Sequence, residues 1–195
     1  MLTFVWDVDD VLNDLMRTWF TNEWLPGHPE CRLAYSDIRE NPPDRVLGIS
    51  KAGYLASLDA FRLSEKARAM TPNRGILDWL RCHGAPHRHM ALTARPLASA
   101  PCLSEWLLRH FGDYVRFFGV APARIAGGVP SYDTCKEDFL GWFGKADVLI
   151  DDSEENIAGA RRLGIRSVLY PQPWNRNPDT VEETLRHLAE LAEAN

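Results

Sequence analysis

Several kinds of residue that would decide a protein's class at once are scarce in this chain. Its 195 residues include only four cysteines, Cys31, Cys82, Cys102 and Cys135, widely spaced and without a Cys-x-x-Cys pair. That excludes a disulfide-dense scaffold and points to free thiols in a reducing compartment. No apolar run approaches the roughly 20 residues that span a bilayer. The opening MLTFVWDVDDVL is cut by Asp7 and has no basic segment ahead of it, so it does not read as a signal peptide. Internal repeats and low-complexity tracts are missing too. Positive charge is not in excess: 22 Lys and Arg stand against 27 Asp and Glu, a formal charge of -5. That is not the electrostatic footprint of a nucleic-acid polymer binder, although a local positive site on an acidic protein still suits a small phosphorylated ligand. These absences predict a cytoplasmic globular protein with neither membrane nor nucleic-acid partners, and they leave the oligomeric state open.

What is present is an ordinary globular balance, 45% hydrophobic and 25% charged. Short apolar runs at LTFVW (2–6), HMALT (89–93), VRFFGV (115–120), DVLI (147–150) and RSVLY (166–170) read as buried strands. Helical patterns lie between them, at 75–84, 99–112, 134–144 and 153–164, each ending on glycine, with a final amphipathic stretch over 179–195. The alternation predicts an α/β fold, a Rossmann-like doubly wound parallel sheet. One region breaks the rhythm. Residues 13–70 carry helix-like segments, DLMRTWFTNEWL and AGYLASLDAFRLSEKARAM, around a loop with Pro42 and Pro43, and no convincing strand. We read 1–12 and 71–195 as the core and 13–70 as a small helical cap inserted after the first strand.

Ligand sites in open parallel sheets gather beyond the carboxyl ends of the strands. The first strand delivers Asp7, Asp9 and Asp10 there, the second Thr93, and the fourth Asp151 and Asp152; Lys136 opens the helix after the third. Clustered carboxylates need a cation or a proton between them, and hard oxygen donors suit Mg²⁺. The Thr93 hydroxyl and the Lys136 ammonium suit an oxyanion such as phosphate. Together they describe metal-assisted phosphoryl transfer. Asp7 and Asp9, two residues apart, can divide the labour: one attacks phosphorus, and the other protonates the leaving oxygen and then activates water.

In DVDDVL at 7–12, LTAR at 92–95, the lysine of CKEDFL at 136 and VLIDDSEEN at 148–156, the chain resembles the haloacid dehalogenase-like hydrolase superfamily. The order of these motifs agrees, as does the insert behind the first one. The resemblance covers the core, roughly 1–12 and 71–175. It implies Asp7 as nucleophile and metal ligand, and Asp9 as general acid/base that binds metal through its backbone carbonyl. It implies phosphate binding by Thr93 and Lys136. Ala94 and Arg95 follow Thr93 directly; Arg95 is in reach of a phosphate or of a second anionic group, with a surface ion pair as the alternative. Asp152 would bind Mg²⁺, with Asp151 beside it as ligand or orienter, and Asn156 would lie near the metal. Within the superfamily the layout is most similar to the 5'(3')-deoxyribonucleotidases. Asp10 stands where glycine is frequent, Leu15 where those enzymes place an aromatic residue, and Leu47-Gly48-Ile49-Ser50 where they carry an aromatic pair. The implied activity is that of a Mg²⁺-dependent phosphomonoesterase acting on a small phosphorylated substrate through an aspartyl phosphate.

Other readings remain beside it. A phosphotransferase or mutase of the same superfamily uses the same residues, and a phospho-accepting regulatory module shares the aspartate, threonine and lysine vocabulary. Dehalogenating relatives lack the second aspartate, here Asp9. Cys82, His83, His87 and His89 crowd together, but match no paired zinc-ligand spacing. Trp19, Phe20, Trp24, Tyr54 and Phe61 read mainly as core of the inserted segment, with at most one or two facing a substrate.

Overall fold

The apolar runs pair into a single five-stranded parallel sheet in the computed structural model, which describes residues 1–124, 130 and 132–194. The strands are β1 (Thr3–Asp7), β2 (Arg88–Thr93), β3 (Val115–Val120), β4 (Val148–Asp151) and β5 (Arg166–Leu169), in the spatial order β3-β2-β1-β4-β5. β1 is central and wholly buried, which is why its sequence runs apolar without alternating. Its side chains still part by period two. Phe4 and Trp6 join the core on one face, under the helices Arg74–Trp79, Ala100–Phe111 and Val181–Glu193. Val5 joins the core on the other, under Lys136–Phe143 and Glu154–Arg162. The result is the doubly wound, three-layer architecture that the strand-helix alternation predicts. β3 lies at the sheet edge, and its Phe117 is exposed.

The register sets the site. Asp7 pairs with Leu92, one residue before Thr93, and Trp6 pairs with Ile150, one residue before Asp151. The carboxyl ends of three adjacent strands therefore bring Asp7, Thr93 and Asp151 to one rim. Connections leave β1 toward β2 on one side while β4 flanks it on the other, so this rim is also the switch point of the sheet.

Residues 15–70 hold helices 15–27, Asp44–Leu47, Lys51–Arg62 and Glu65–Arg68. Leu15, Trp19, Phe20, Trp24, Ile38, Tyr54, Leu58 and Phe61 bury one another in a hydrophobic cluster apart from the sheet's two cores. The two chain segments that enter and leave this region are tied together. Asn13 and Pro72 form an antiparallel bridge, the Asn73 N–H donates to Leu12 O at 2.8 Å, and Asn73 Nδ2 donates to Val11 O at 3.0 Å. The helical pattern over 52–70 is broken once. Ser64 accepts the Ala67 N–H at 3.3 Å and starts a new helix, so the first one ends at Arg62. In the tail, the helix runs over Val181–Glu193, and Asn195 lies outside the described residues.

Candidate active site

The chain leaves β1 through a wide turn over Val8–Leu12, closed by Asn13 N–H to Val8 O at 3.1 Å. Asp9 is extended, and Asp10 takes a left-handed conformation with φ 63°. That geometry accounts for the aspartate where glycine is frequent: Asp tolerates the left-handed region when its side chain bonds locally. Here Asp10 Oδ1 accepts Met16 N–H at 2.8 Å, starting the first cap helix, and Asp10 O accepts Gln172 Nε2 at 2.7 Å. Burial, then the charge of Asp9, push the Asp10 carboxyl well above the usual range.

Asp7, Asp151 and Asp152 are buried, with carboxylate oxygens within 4.8 Å of one another, the one such acidic, histidine or cysteine group among the described residues. Lys136 is 2% exposed and lies 2.6 Å from Asp7 Oδ1 and 2.7 Å from Asp151 Oδ2. Burial opposes its charge, but Asp151 and Asp7 prevail and hold it above the usual lysine range. Asp151 is the most heavily bonded of the three: Oδ2 takes Lys136, while Oδ1 takes Ser153 N–H (2.9 Å) and Asn156 Nδ2 (3.0 Å). By contrast, Asp7 Oδ2 and Asp152 Oδ1 accept no hydrogen bond from the described residues; their partner oxygens bind Val8 N–H and Lys136, and Trp174 Nε1 (2.7 Å). Burial, relieved only in part by Lys136, pushes Asp7 up, and burial with the charges of Asp151 and Asp10 pushes Asp152 up to about 8. A pair of free, hard oxygens in a site short of positive charge fits Mg²⁺. Asp7 and Asp152 are the side chains that could hold it through their free oxygens, with Asp151 beside them as a ligand or as the orienter of Lys136 and the following loop.

Thr93 ends β2, is 1% exposed and accepts Arg95 N–H at 3.2 Å on Oγ1, which leaves its hydroxyl proton free to donate. Arg95 is also buried, but its guanidinium lies on Asp9: Nε is 2.8 and 2.9 Å from the two carboxylate oxygens, and Nη2 donates to Oδ1. Arg62, at the end of the helix Lys51–Arg62, adds Nη2 to Asp9 Oδ2 at 3.0 Å. Burial works against the Asp9 charge, but Arg95 and Arg62 overcome it and hold the carboxyl down at about 2. Asp9 is therefore a clamped carboxylate in this conformation.

All these groups open onto one cavity of about 800 Å³ between the sheet rim and the helical segment. Asp7, Asp9, Thr93, Ala94, Arg95, Lys136, Asp152 and Asn156 line it; Asp151 stands behind. Reading the strand ends missed Arg62, and it missed the PQPWN loop at 171–175. Trp174 and Asn175 both bond Asp152, the latter from Nδ2 to its backbone oxygen at 2.9 Å. The signal was available, since this loop leaves the carboxyl end of β5. Of the five cap aromatics, only Tyr54 reaches the cavity wall; the others are core. The crowded histidines build no metal site. His89 accepts Trp6 Nε1 on Nδ1 at 3.1 Å and meets Gly84 O with Nε2 at 2.9 Å, so both nitrogens are used.

No protein-family model matches the sequence, and no curated protein matches it. Solved structures do. A haloacid dehalogenase-like family hydrolase from Streptococcus pneumoniae superposes with a TM-score of 0.66 at 15% identity, covering 98% of each chain. A subfamily IA hydrolase of the same superfamily from Geobacter sulfurreducens gives 0.57 at 16% identity over 98% of this chain and 96% of that one. A candidate β-phosphoglucomutase from Thermotoga maritima gives 0.54 at 18%, over 98% and 100%. At these identities the likeness is one of fold: the chain has the α/β architecture of haloacid dehalogenase-like hydrolases.

Proposed function

We propose that the chain is a phosphomonoesterase that works through phosphorylation of Asp7. The observation that carries this reading is the convergence of Asp7, Thr93 and Lys136 on one cavity, with Lys136 2.6 Å from Asp7 Oδ1. A carboxylate oxygen of Asp7 attacks phosphorus and the bond to the ester oxygen breaks. Thr93 donates a hydrogen bond to the phosphoryl oxygens, and Lys136 offsets their charge. Asp9 gives the departing oxygen its proton. In the second half, Asp9 takes a proton from water, the water oxygen bonds phosphorus, and the bond to Asp7 breaks, releasing phosphate and restoring the carboxylate. A Mg²⁺ held by Asp7, Asp152 and the Asp9 carbonyl would offset the negative charge that gathers on the transferring group. For Asp9 to carry a proton, its clamp by Arg95 and Arg62 has to loosen when substrate binds. Residues 13–70, folded on their own cluster and tethered at Asn13 and Asn73, are the unit to move as a cap.

The test is phosphate release from p-nitrophenyl phosphate with Mg²⁺, combined with trapping of the phosphoenzyme by rapid acid quench. Asp7→Asn should remove both turnover and the trapped phosphate. Wild-type turnover in that variant, or label found on another residue, would overturn the proposal. A regulatory phospho-acceptor would instead hold its label for hours. A mutase would give an isomerised phosphate ester rather than free phosphate.

A further inference from the structure

The wall that residues 13–70 give the cavity has one sign of charge. Arg39, Lys51 and Arg62 line it, and no Asp or Glu of that segment does. Arg39 and Lys51 are exposed and form no ion pair among the described residues. Arg62 is different, being about nine-tenths buried with a side chain 12% exposed. It bonds Asp59 through Nη1 at 2.9 Å and Asp9 through Nη2 at 3.0 Å, while Nε is buried without a partner. A guanidinium has five N–H donors, so these two bonds leave Arg62 with donors for another anion, and an anion that draws Arg62 toward it also loosens the clamp on Asp9.

Arg124, from the sheet side of the cavity, bonds Asp59 at 2.8 Å, so on this side of the cavity the guanidiniums of Arg95, Arg62 and Arg124 bond the two carboxylates Asp9 and Asp59. The acidic groups of the cavity, Asp7, Asp10, Asp152, Glu154 and Glu155, come from the sheet side and not from residues 13–70. Flat aromatic surface is scarce by comparison. Tyr54 is 2% exposed and packs edge-on to Trp19, and Trp174 is tied through its indole N–H to Asp152.

On the basis of the phosphatase reading, we propose that the substrate is a phosphomonoester bearing a second anionic group, a carboxylate or another phosphate, and that Arg62 selects it, supported by Arg39 and Lys51. Bidentate guanidinium donors match either anion. A nucleoside monophosphate offers the cap no such group.

The experiment compares kcat/KM across three arms: phosphoglycolate and 3-phosphoglycerate; fructose 1,6-bisphosphate; and ethyl phosphate, glycerol 3-phosphate and dTMP, esters with no anionic group besides the one phosphate. The wild type should prefer one of the first two arms by about 30-fold, as expected for a charge-assisted contact made away from water. Whichever arm leads identifies the anion. Arg62→Gln should collapse that ratio to about unity, and Arg62→Lys should keep part of it. Because Arg62 also bonds Asp9, the ratio is the readout rather than either rate. Lys51→Gln, at an exposed site that folding does not use, should reduce the ratio severalfold. Equal rates on all arms, a preference for dTMP, or an equal loss on every ester in Arg62→Gln with no change in Lys51→Gln would overturn the proposal. The last of these would make Arg62 a strap between cap and core. Phosphate release from no ester at all, p-nitrophenyl phosphate included, would overturn the phosphatase reading itself, and this inference with it.

Discussion

Two single residues show how local chemistry and burial trade against each other. Asp10 sits at φ 63° and starts a helix through its bond to Met16 N–H. Alanine there keeps the left-handed backbone, roughly 1 kcal/mol uphill, and loses a cap of about 1 kcal/mol. The removal of a buried carboxylate near Asp9 offsets part of that. Asp10→Ala should therefore lower stability by about 1–2 kcal/mol in urea melts, whereas Asp10→Asn, which tolerates the backbone and can still accept, should stay within about 0.5 kcal/mol of wild type. A loss as large in asparagine as in alanine would show that the charge, not the turn, is what matters. His89 is the second case. Burial holds its ring down at about 4, against the bond to Gly84 O that favours the protonated form. Between the unfolded value near 6.5 and about 4, the unfolded chain binds a proton that the folded one does not, so stability falls as pH drops. The loss should be on the order of 3 kcal/mol across that window, and His89→Gln should flatten this part of the stability-pH curve. The clamped Asp9 acts lower, from pH 4 toward 2, where its protonation costs stability that Arg95 and Arg62 supply above that range.

At the scale of elements, what the sequence makes legible follows the two periods of the chain. Five apolar runs and the polar residues at their ends suffice to place Asp7, Thr93, Asp151 and Asp152 at one rim, because parallel register leaves those ends little choice. Arg62 and the 171–175 loop were not legible in that way. Arg62 reads as one more solvated charge on a helix until the Ser64 cap ends that helix beside Asp9, and tertiary packing, not pattern, decides this. The loop has neither period, and its Gln172, Trp174 and Asn175 act through bonds to residues some 160 or 20 positions earlier. The helix that carries Lys136 shows how packing aims a side chain. Gly119 of β3 lies against it, and a Cβ there would meet the Phe139 ring at 2.4 and 2.7 Å and Met90 Cε at 2.9 Å. Phe139 is buried in the core on that face of the sheet, with Val5, Met90 and Leu140, so the ring yields only by repacking those neighbours. Gly119→Ala should cost about 1–3 kcal/mol by overpacking. It should also lower kcat through displacement of Lys136, three residues before Phe139, while a change at the exposed Phe117 of the same strand should alter neither. Unchanged stability in Gly119→Ala would mean that the helix is free to slide outward.

Across the whole molecule, the sharpest imbalance is electrostatic: an acidic chain of charge -5 buries Asp7, Asp151 and Asp152 together with Lys136 as their close cationic partner. Burial and neighbouring carboxylates raise Asp7, and raise Asp152 to about 8. A carboxyl raised in the folded state favours folding least where it must ionise, so without a divalent ion the protein loses stability as pH climbs from about 4 through 8. On the proposed function, Mg²⁺ would reverse this by replacing the proton with a charge bound only in the folded state. At a hundredfold excess over its dissociation constant, it should add about 2.7 kcal/mol, or roughly 5–10 °C in Tm for a chain of this size. The increment should be larger at pH 8 than at pH 6, because at the lower pH the ion must first displace the proton from Asp152. Asp152→Asn separates this from a general salt effect. It should raise the Tm of the metal-free protein at pH 8 by removing a buried charge, and it should abolish most of the Mg²⁺ increment. Thermal melts of both proteins with and without chelator decide the matter: an increment that survives in Asp152→Asn, or that shrinks as pH rises, would place the ion somewhere other than between Asp7 and Asp152.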